Sequence, residues 1–422
     1  MSKRRVISCI LMLFPFLLSA QPVVKGVPEL DFAHLEKNMI VFPGDSSAFD
    51  RFFERLDSVC RFGKGKLSIL HVGGSHVQGG TMTRELRNDF LALGNVYGRD
   101  MDGGMGLVFP VSTAKTNNPS GYKTRTEGTW TNAKSIQKEP ASRLGLAGMA
   151  VSTSDSLASV GIVLTPRNPV PEDVQCHFDE VRLLGFRDEG DFEPVVVLPS
   201  GDTLLPSMQS DSCRTFSFTS LQDSVRIAFR GSKGSFTITG IFLDRKDVPG
   251  ITVSGVGVNG ATLTAYSRCM DLERDLAVVR PDLVVLAIGI NDAIPADFSE
   301  DVFKARYKAL VGRIRSVCPG CAVLFVTNND SFRHSRKKGY YVNTNGERAR
   351  HAFLELGKEC GAGVWDQFEI MGGLGSMKKW ETASLARRDK IHFTDDGYML
   401  LGDLLFNALM DKFEEHLERK ER

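Results

Sequence analysis

Strand and helix alternate at both ends of this chain, and a long β-rich interval separates the two regions. No other feature restricts the possible folds as strongly. Near the start, residues 46–61 place Phe49, Phe52, Phe53, Leu56 and Val59 at helical spacing, with Ser46 or Ser47 as cap. Residues 66–72 read as a short buried strand, Gly73-Gly74 breaks it, and 77–93 read as a helix. The same grammar returns late. Residues 263–279, 300–317 and 347–359 are helix-like, while 283–288, 322–326 and 363–366 are strand-like. Thr394 caps a long final helix that becomes highly charged after Asp411. Alternation of this kind predicts an α/β fold, a parallel sheet with helices on both faces.

The middle obeys another rule. From about 104 to 250, short β runs (158–164, 194–198, 224–230 and 235–244) are separated by Gly, Pro, Asp and Ser. That pattern predicts an all-β, jelly-roll-like sandwich inserted into the α/β region. The expected organisation is 1–20 as a signal peptide, 21–104 and 251–422 as the two parts of the α/β domain, and 105–250 as the insert.

Charge and hydropathy narrow the function. Lys and Arg total 52 and Asp and Glu 51, which argues against a nucleic-acid-binding surface, because phosphate contacts need a basic surplus. Past the N-terminus there is no apolar run of about 20 residues, so no stable membrane insertion is expected after signal cleavage. Lys3, Arg4 and Arg5, the apolar run 6–18 and Ser19-Ala20 before Gln21 have the layout of an export signal. A periplasmic or secreted protein is therefore expected. Cys9 would leave with the signal, and the seven remaining cysteines are an odd number. Cys318-Pro-Gly-Cys321 precedes a strand instead of opening a helix, which favours a small disulfide or two plain thiols over a redox centre. Trp130, Tyr122 and Phe178 in the insert are candidate sugar-stacking rings or core residues.

Four short segments fall at the ends of the expected α/β strands, where open parallel sheets place their sites. In Val72-Gly-Gly-Ser-His-Val77, Ser75 sits in a glycine turn between strand and helix. The segment 255–260 is glycine-rich and suits a backbone N–H aimed at a ligand. In Gly289-Ile-Asn-Asp292, Asn291 offers a side-chain donor to a developing oxyanion. In Asp389-Lys-Ile-His392, the spacing lets a carboxylate fix the imidazole tautomer. Each segment alone also fits a helix cap, a loop or an Asx turn.

Taken together and in this order, Ser, Gly, Asn and His resemble the SGNH hydrolases, also called the GDSL esterase/lipase family. The resemblance covers the α/β parts and not the insert. It implies Ser75 as nucleophile, His392 as general base and Asp389 as its orienting carboxylate. It also implies an oxyanion hole made of the Ser75 and Gly257 N–H groups and the Asn291 amide. The family commonly has Gly-Asp-Ser where this chain has Gly73-Gly74-Ser75. His76 resembles the Gly-Asp-Ser-His variant of carbohydrate and peptidoglycan esterases, and is the one competitor for the role of base. An exported member with an inserted β-sandwich resembles peptidoglycan O-acetylesterases, whose insert looks like a carbohydrate-binding module. The expected activity is removal of small acyl groups, acetyl above all, from a carbohydrate polymer, with peptidoglycan among the candidates. An O-acetyltransferase with the same triad and a non-catalytic glycan-binding protein are the alternatives. This chemistry calls for no metal or organic cofactor. The polar segment 328–334 is a candidate cleft wall.

Overall fold

The computed structural model describes residues 24–422, apart from 167, 168, 170–172, 211 and 338. The expected signal peptide and Cys9 lie outside the described residues. Six strands form the main sheet: β1 (Ile40–Val41), β2 (Lys66–Gly73), β3 (Gly250–Gly257), β4 (Leu283–Ala287), β5 (Ala322–Val326) and β6 (Gly363–Trp365). Their order is β1-β6-β5-β4-β2-β3. All neighbours are parallel except the short edge strand β1, which runs antiparallel to β6. Continuous apolar runs such as Leu283–Ala287 suit strands covered on both faces.

The helices supply that cover. α1 (Ser47–Phe62), α3 (Thr81–Tyr97) and α6 (Asp395–Glu421) pack with one another on one side. α4 (Glu300–Val317) and α5 (Asn345–Cys360) pack together on the other. Under the first layer lie the rings of Phe49, Phe52 and Phe53. Under the second, Phe303, Tyr307, Phe325 and Phe353 meet edge to face at about 5 Å. Ser299 Oγ caps α4 by accepting the Val302 N–H, and Thr394 Oγ1 caps α6 by accepting that of Gly397. The helix expected over 77–93 is two helices, because Gly79-Gly80 divides the short α2 (Ser75–Gln78) from α3. Gly80 has φ +78°, and a Cβ there would lie 2.7 Å from Ser120 N. The helix expected over 263–279 is likewise divided, into Leu263–Ser267 and Leu272–Val279.

Residues 106–244 build two antiparallel sheets. The first has the order Thr203–Leu204, Glu193–Val197, Ser224–Arg230, Ser159–Val163, Lys123–Glu127. The second centres on Phe178–Arg187 and Phe236–Asp244. Phe229 of the first touches Phe236 of the second, their ring centroids 5.9 Å apart, so the two sheets pack as a sandwich. Tyr122 and Phe178 are buried in it, and Trp130 packs half-buried on Phe229. All seven described cysteines are free thiols, including Cys318 and Cys321. Among the described residues, no helix is long and apolar enough to cross a membrane.

Candidate active site

The carboxyl ends of β2, β3 and β4 meet at one edge of the sheet. Gly73 closes β2, and only glycine fits: a Cβ would lie 2.4 Å from Val77 Cγ2 and 2.6 Å from Ala287 O. The Tyr266 hydroxyl donates to the Gly73 carbonyl at 2.8 Å and fixes the turn. Ser75 is then the first residue of α2, so its N–H has no intrahelical partner. Ser75 is half-buried.

Ser75 Oγ lies 2.8 Å from His392 Nε2, across more than 300 residues of sequence. His392 Nδ1 lies 2.9 Å from Asp389 Oδ2. A carboxylate accepts only, so Nδ1 carries the proton and Nε2 is free to accept from the serine hydroxyl. Asp389 meets the ring through an Asx-type turn, because its Oδ1 also accepts the N–H groups of Ile391 and His392, both at 2.9 Å. Burial works against the Asp389 charge. The bonds from the ring and the two backbone N–H groups outweigh it and hold the carboxyl well below the usual range. The loop itself is braced, since Asn329 Nδ2 donates to the Ile391 carbonyl at 3.0 Å and Arg387 N–H to that of His392 at 2.8 Å. Segment 328–334 thus does more bracing than lining: Asn328, Asn329, Asp330 and Ser331 are buried.

Asn291 follows Gly289, whose φ of +137° turns the chain out of the sheet. Its Nδ2 donates to Ala261 O at 2.9 Å and would lie 3.6 Å from a Cβ placed on Gly74. The amide therefore stands beside the Ser75 turn with one of its two N–H bonds uncommitted. The same geometry accounts for Gly74. A side chain there would face the carbonyl oxygens of Ala261 and Val258 at 3.7 and 3.8 Å, poor company for the carboxylate common in the family.

Gly257 sits differently from expectation. It ends β3 opposite Gly73, and its Cβ position is filled by Gln78 N and Gly74 O, each at 2.5 Å. The next residue, Val258, donates its N–H to Gly73 O. N–H groups alternate along a strand, so that of Gly257 points to the opposite edge, away from the turn. Gly260, in the loop that offers Ala261 O to Asn291, has φ +77° and is exposed, with open space around its Cα.

Two contributors, Asp292 and Gln78, escape sequence reasoning. Asp292 accepts the Leu263 N–H at 3.1 Å and so ties the 258–263 loop to the Asn291 segment. Burial pushes its carboxyl up to about 6, against that bond and Arg306. Gln78 Oε1 accepts the Asn259 N–H at 2.7 Å and holds the same loop from below. His76 bonds Tyr398 through Nδ1 at 2.8 Å, its ring 5.1 Å from that of His392. Burial, and next the His392 ring, push His76 down to about 3. It stays a neutral wall behind His392. Glu85, Asp89 and Asp403 form the described cluster with metal-ligand spacing. It holds Lys25 Nζ 2.9 Å from Asp89, so the chain supplies its own cation there.

A parallel sheet covered on both faces, with a Ser–His–carboxylate chain at its carboxyl edge, defines an α/β carboxylic ester hydrolase. Residues 238–400 match the GDSL-like Lipase/Acylhydrolase family. That span is similar to the SGNH hydrolases. The matched span contains Asn291, Asp389 and His392 and leaves out Ser75, which the fold alone brings to them. A structure described as a peptidoglycan O-acetylesterase in action is similar over 89% of this chain and 99% of its own, with 22% identity and TM-score 0.71. The acetyl xylan esterase AlAXEase is similar over 37% of this chain and 81% of its own, with 18% identity and TM-score 0.31. A variant of an acetyl xylan esterase from Geobacillus stearothermophilus is similar over 38% and 73%, with 20% identity and TM-score 0.29. The comparison with curated proteins returned no match.

Proposed function

We propose that this protein is an exported serine esterase that removes acetyl or other small acyl groups from a carbohydrate polymer, peptidoglycan foremost. One observation carries the reading: the unbroken Ser75–His392–Asp389 chain at 2.8 and 2.9 Å, with the Asn291 amide beside it. His392 takes the Ser75 proton as the hydroxyl attacks the ester carbonyl. The tetrahedral oxyanion receives the Ser75 N–H and the Asn291 amide. Gly260 supplies the third donor in place of Gly257, whose N–H faces the other edge. A structure of a phosphonate adduct on Ser75 tests that exchange, since contact of the phosphoryl oxygen with Gly257 N–H would restore the earlier assignment. His392 then protonates the leaving sugar hydroxyl, and water hydrolyses the acyl-enzyme by the same route.

The peptidoglycan O-acetylesterase similar over nearly the whole chain supports the polymer class and an extracytoplasmic location. It spans the sandwich as well as the α/β part, which suits a glycan-holding insert formed by 105–250. Ser75→Ala is expected to lower hydrolysis of p-nitrophenyl acetate and acetate release from acetylated murein by at least about 10³-fold. A folded Ser75→Ala protein working at the parent rate would end the reading. Mass spectrometry of acetylated and deacetylated strands distinguishes hydrolysis from transfer to a second sugar.

A further inference from the structure

The balanced net charge conceals a cluster of exposed cations beside the catalytic loop. Residues 332–342 form a two-stranded hairpin, Phe332–Ser335 paired with Gly339–Val342. Its root joins the two loops that carry the site. Phe332 N–H donates to Lys390 O at 3.0 Å, next to Asp389. Asn343 Nδ2 donates to Ala293 O at 3.2 Å and Asn345 Nδ2 to Pro295 O at 2.8 Å, just beyond Asn291. The hairpin is therefore anchored to both loops. Its tip exposes Arg336 and Lys337, and the loop before His392 exposes Arg387 and Arg388. None of these four has an acidic partner among the described residues, unlike Arg55, Arg226, Lys308, Arg348 and Arg419. Arg333 spends its guanidinium on the Pro295 carbonyl. Of the nearby acids, Glu381 is held by Lys390 at 2.9 Å. Asp297, on the Pro295 loop, Glu347, in the first turn of α5, and Asp396, in the first turn of α6, are exposed acids on adjoining elements.

Two rings stand on this hairpin. Tyr340 is 46% exposed and Tyr341 37%. The Tyr340 ring is set in place from behind, with Lys390 Nζ 4.4 Å from its centroid and His334 edge-on at 4.8 Å. Preset phenol rings offer a pyranose a stacking face at low entropic cost. Guanidinium groups left without carboxylates of their own offer bidentate bonds to those of a ligand. Stacking alone would suit any sugar chain, but the cations select among them.

We propose that the hairpin 332–342 and the 387–390 loop form a subsite for a glycan strand that bears carboxylates. The proposal rests on the esterase reading and names the substrate class of the same site. The carboxylates belong either to the sugar ring, as in a polyuronate, or to a lactyl ether or peptide appended to it, as in peptidoglycan.

The test uses the mature chain with acetylated xylan, an acetylated polyuronate and O-acetylated peptidoglycan, each referred to p-nitrophenyl acetate. The expected result is a kcat/KM ratio at least about tenfold higher for one anionic polymer than for xylan, and lost between low and about 0.5 M salt. Whichever anionic polymer leads identifies the carboxylate source. Arg336→Glu with Arg387→Glu, and separately Tyr340→Ala, should cut that ratio at least about tenfold through KM, the first pair acting on anionic polymers only. Co-sedimentation of the Ser75→Ala protein with the same polymers reads the subsite without turnover. Its retention on the anionic polymer should vanish when the two arginines are reversed. Equal rates on all three polymers, no salt response and retention unchanged by charge reversal would overturn the subsite and leave the esterase standing. Failure to hydrolyse p-nitrophenyl acetate would instead strike the esterase, and retention alone would then decide the subsite.

Discussion

Asn291 makes two demands on one amide, and they separate on substitution. One N–H supports the loop through Ala261 O at 2.9 Å, and the other is the donor that the proposed mechanism offers to the oxyanion. Asn291→Ala should lower kcat on p-nitrophenyl acetate by about 10²–10³. The lost support should cost only about 1 kcal/mol, visible as a small drop in thermal midpoint. A loss of activity that merely tracked unfolding would make Asn291 structural. The paired glycines separate more sharply. Gly73→Ala drives a methyl to 2.4 Å from Val77 Cγ2 and 2.6 Å from Ala287 O, and one of these is backbone. It should cost about 1–3 kcal/mol and displace Ser75, lowering both midpoint and rate. Gly74→Ala adds its methyl at 3.6 Å or beyond, ordinary contact distance, and should keep the fold and most of the rate. Thermal melts and p-nitrophenyl acetate kinetics on both variants check the contrast, and equal sensitivity at 73 and 74 would contradict the geometry.

At the scale of elements, the α3–α6 contact carries a built-in pH response. Glu85 and Asp89 on α3 face Asp403 on α6, with Lys25 as their shared cation. Burial raises all three carboxyls, and the charges of Asp89 and Glu85 help push Asp403 to about 7. A carboxyl raised above its unfolded value of about 3.9 contributes stability that is complete below that pH and lost as pH rises through 7. The melting temperature should therefore climb as pH is lowered from 8 towards 5. Asp403→Asn should flatten that climb and raise the pH 8 midpoint by at least about 2 °C. An unchanged slope in the variant would place the titration elsewhere. Element boundaries also explain what the sequence could reveal. Residues 300–317 and 322–326 were legible to the residue, because Ser299 caps the helix and Pro319-Gly320 separates it from an all-apolar strand. The hairpin 332–342 was not, because its strands are four residues long and polar and are held by partners at 293, 295 and 390. Within the site, Ser75, Asn291, Asp389 and His392 were legible because each follows a strand end or precedes a cap. The direction of one N–H at Gly257 depends on strand register, which local sequence does not encode.

The whole molecule is more unified than an interrupted domain suggests. Residues 106–244 build the sandwich, yet its edges are stitched into the α/β core. Leu107 N–H donates to Ser254 Oγ at 2.8 Å, and Leu146 N–H to Asp275 Oδ2 at 2.9 Å. Lys66 Nζ reaches Asp244 Oδ1 at 2.6 Å. Arg87, buried on α3, spends its guanidinium on the Val253 carbonyl within the strand that follows the sandwich. Apolar residues of both regions form one continuous buried cluster. Separating them would strand the Ser254 and Asp275 side chains and open apolar surface on both sides, so neither part has an independent core boundary. The expected consequence is one cooperative unfolding transition. The three tryptophans permit a direct test, because Trp130 reports from the sandwich while Trp365 and Trp380 report from the α/β core. A Trp130→Phe protein and a Trp365→Phe/Trp380→Phe protein should each give denaturant curves that superpose on their own far-ultraviolet circular dichroism. Two midpoints, with Trp130 released first, would mean that the sandwich unfolds on its own and that the stitching at Ser254 and Asp275 contributes little.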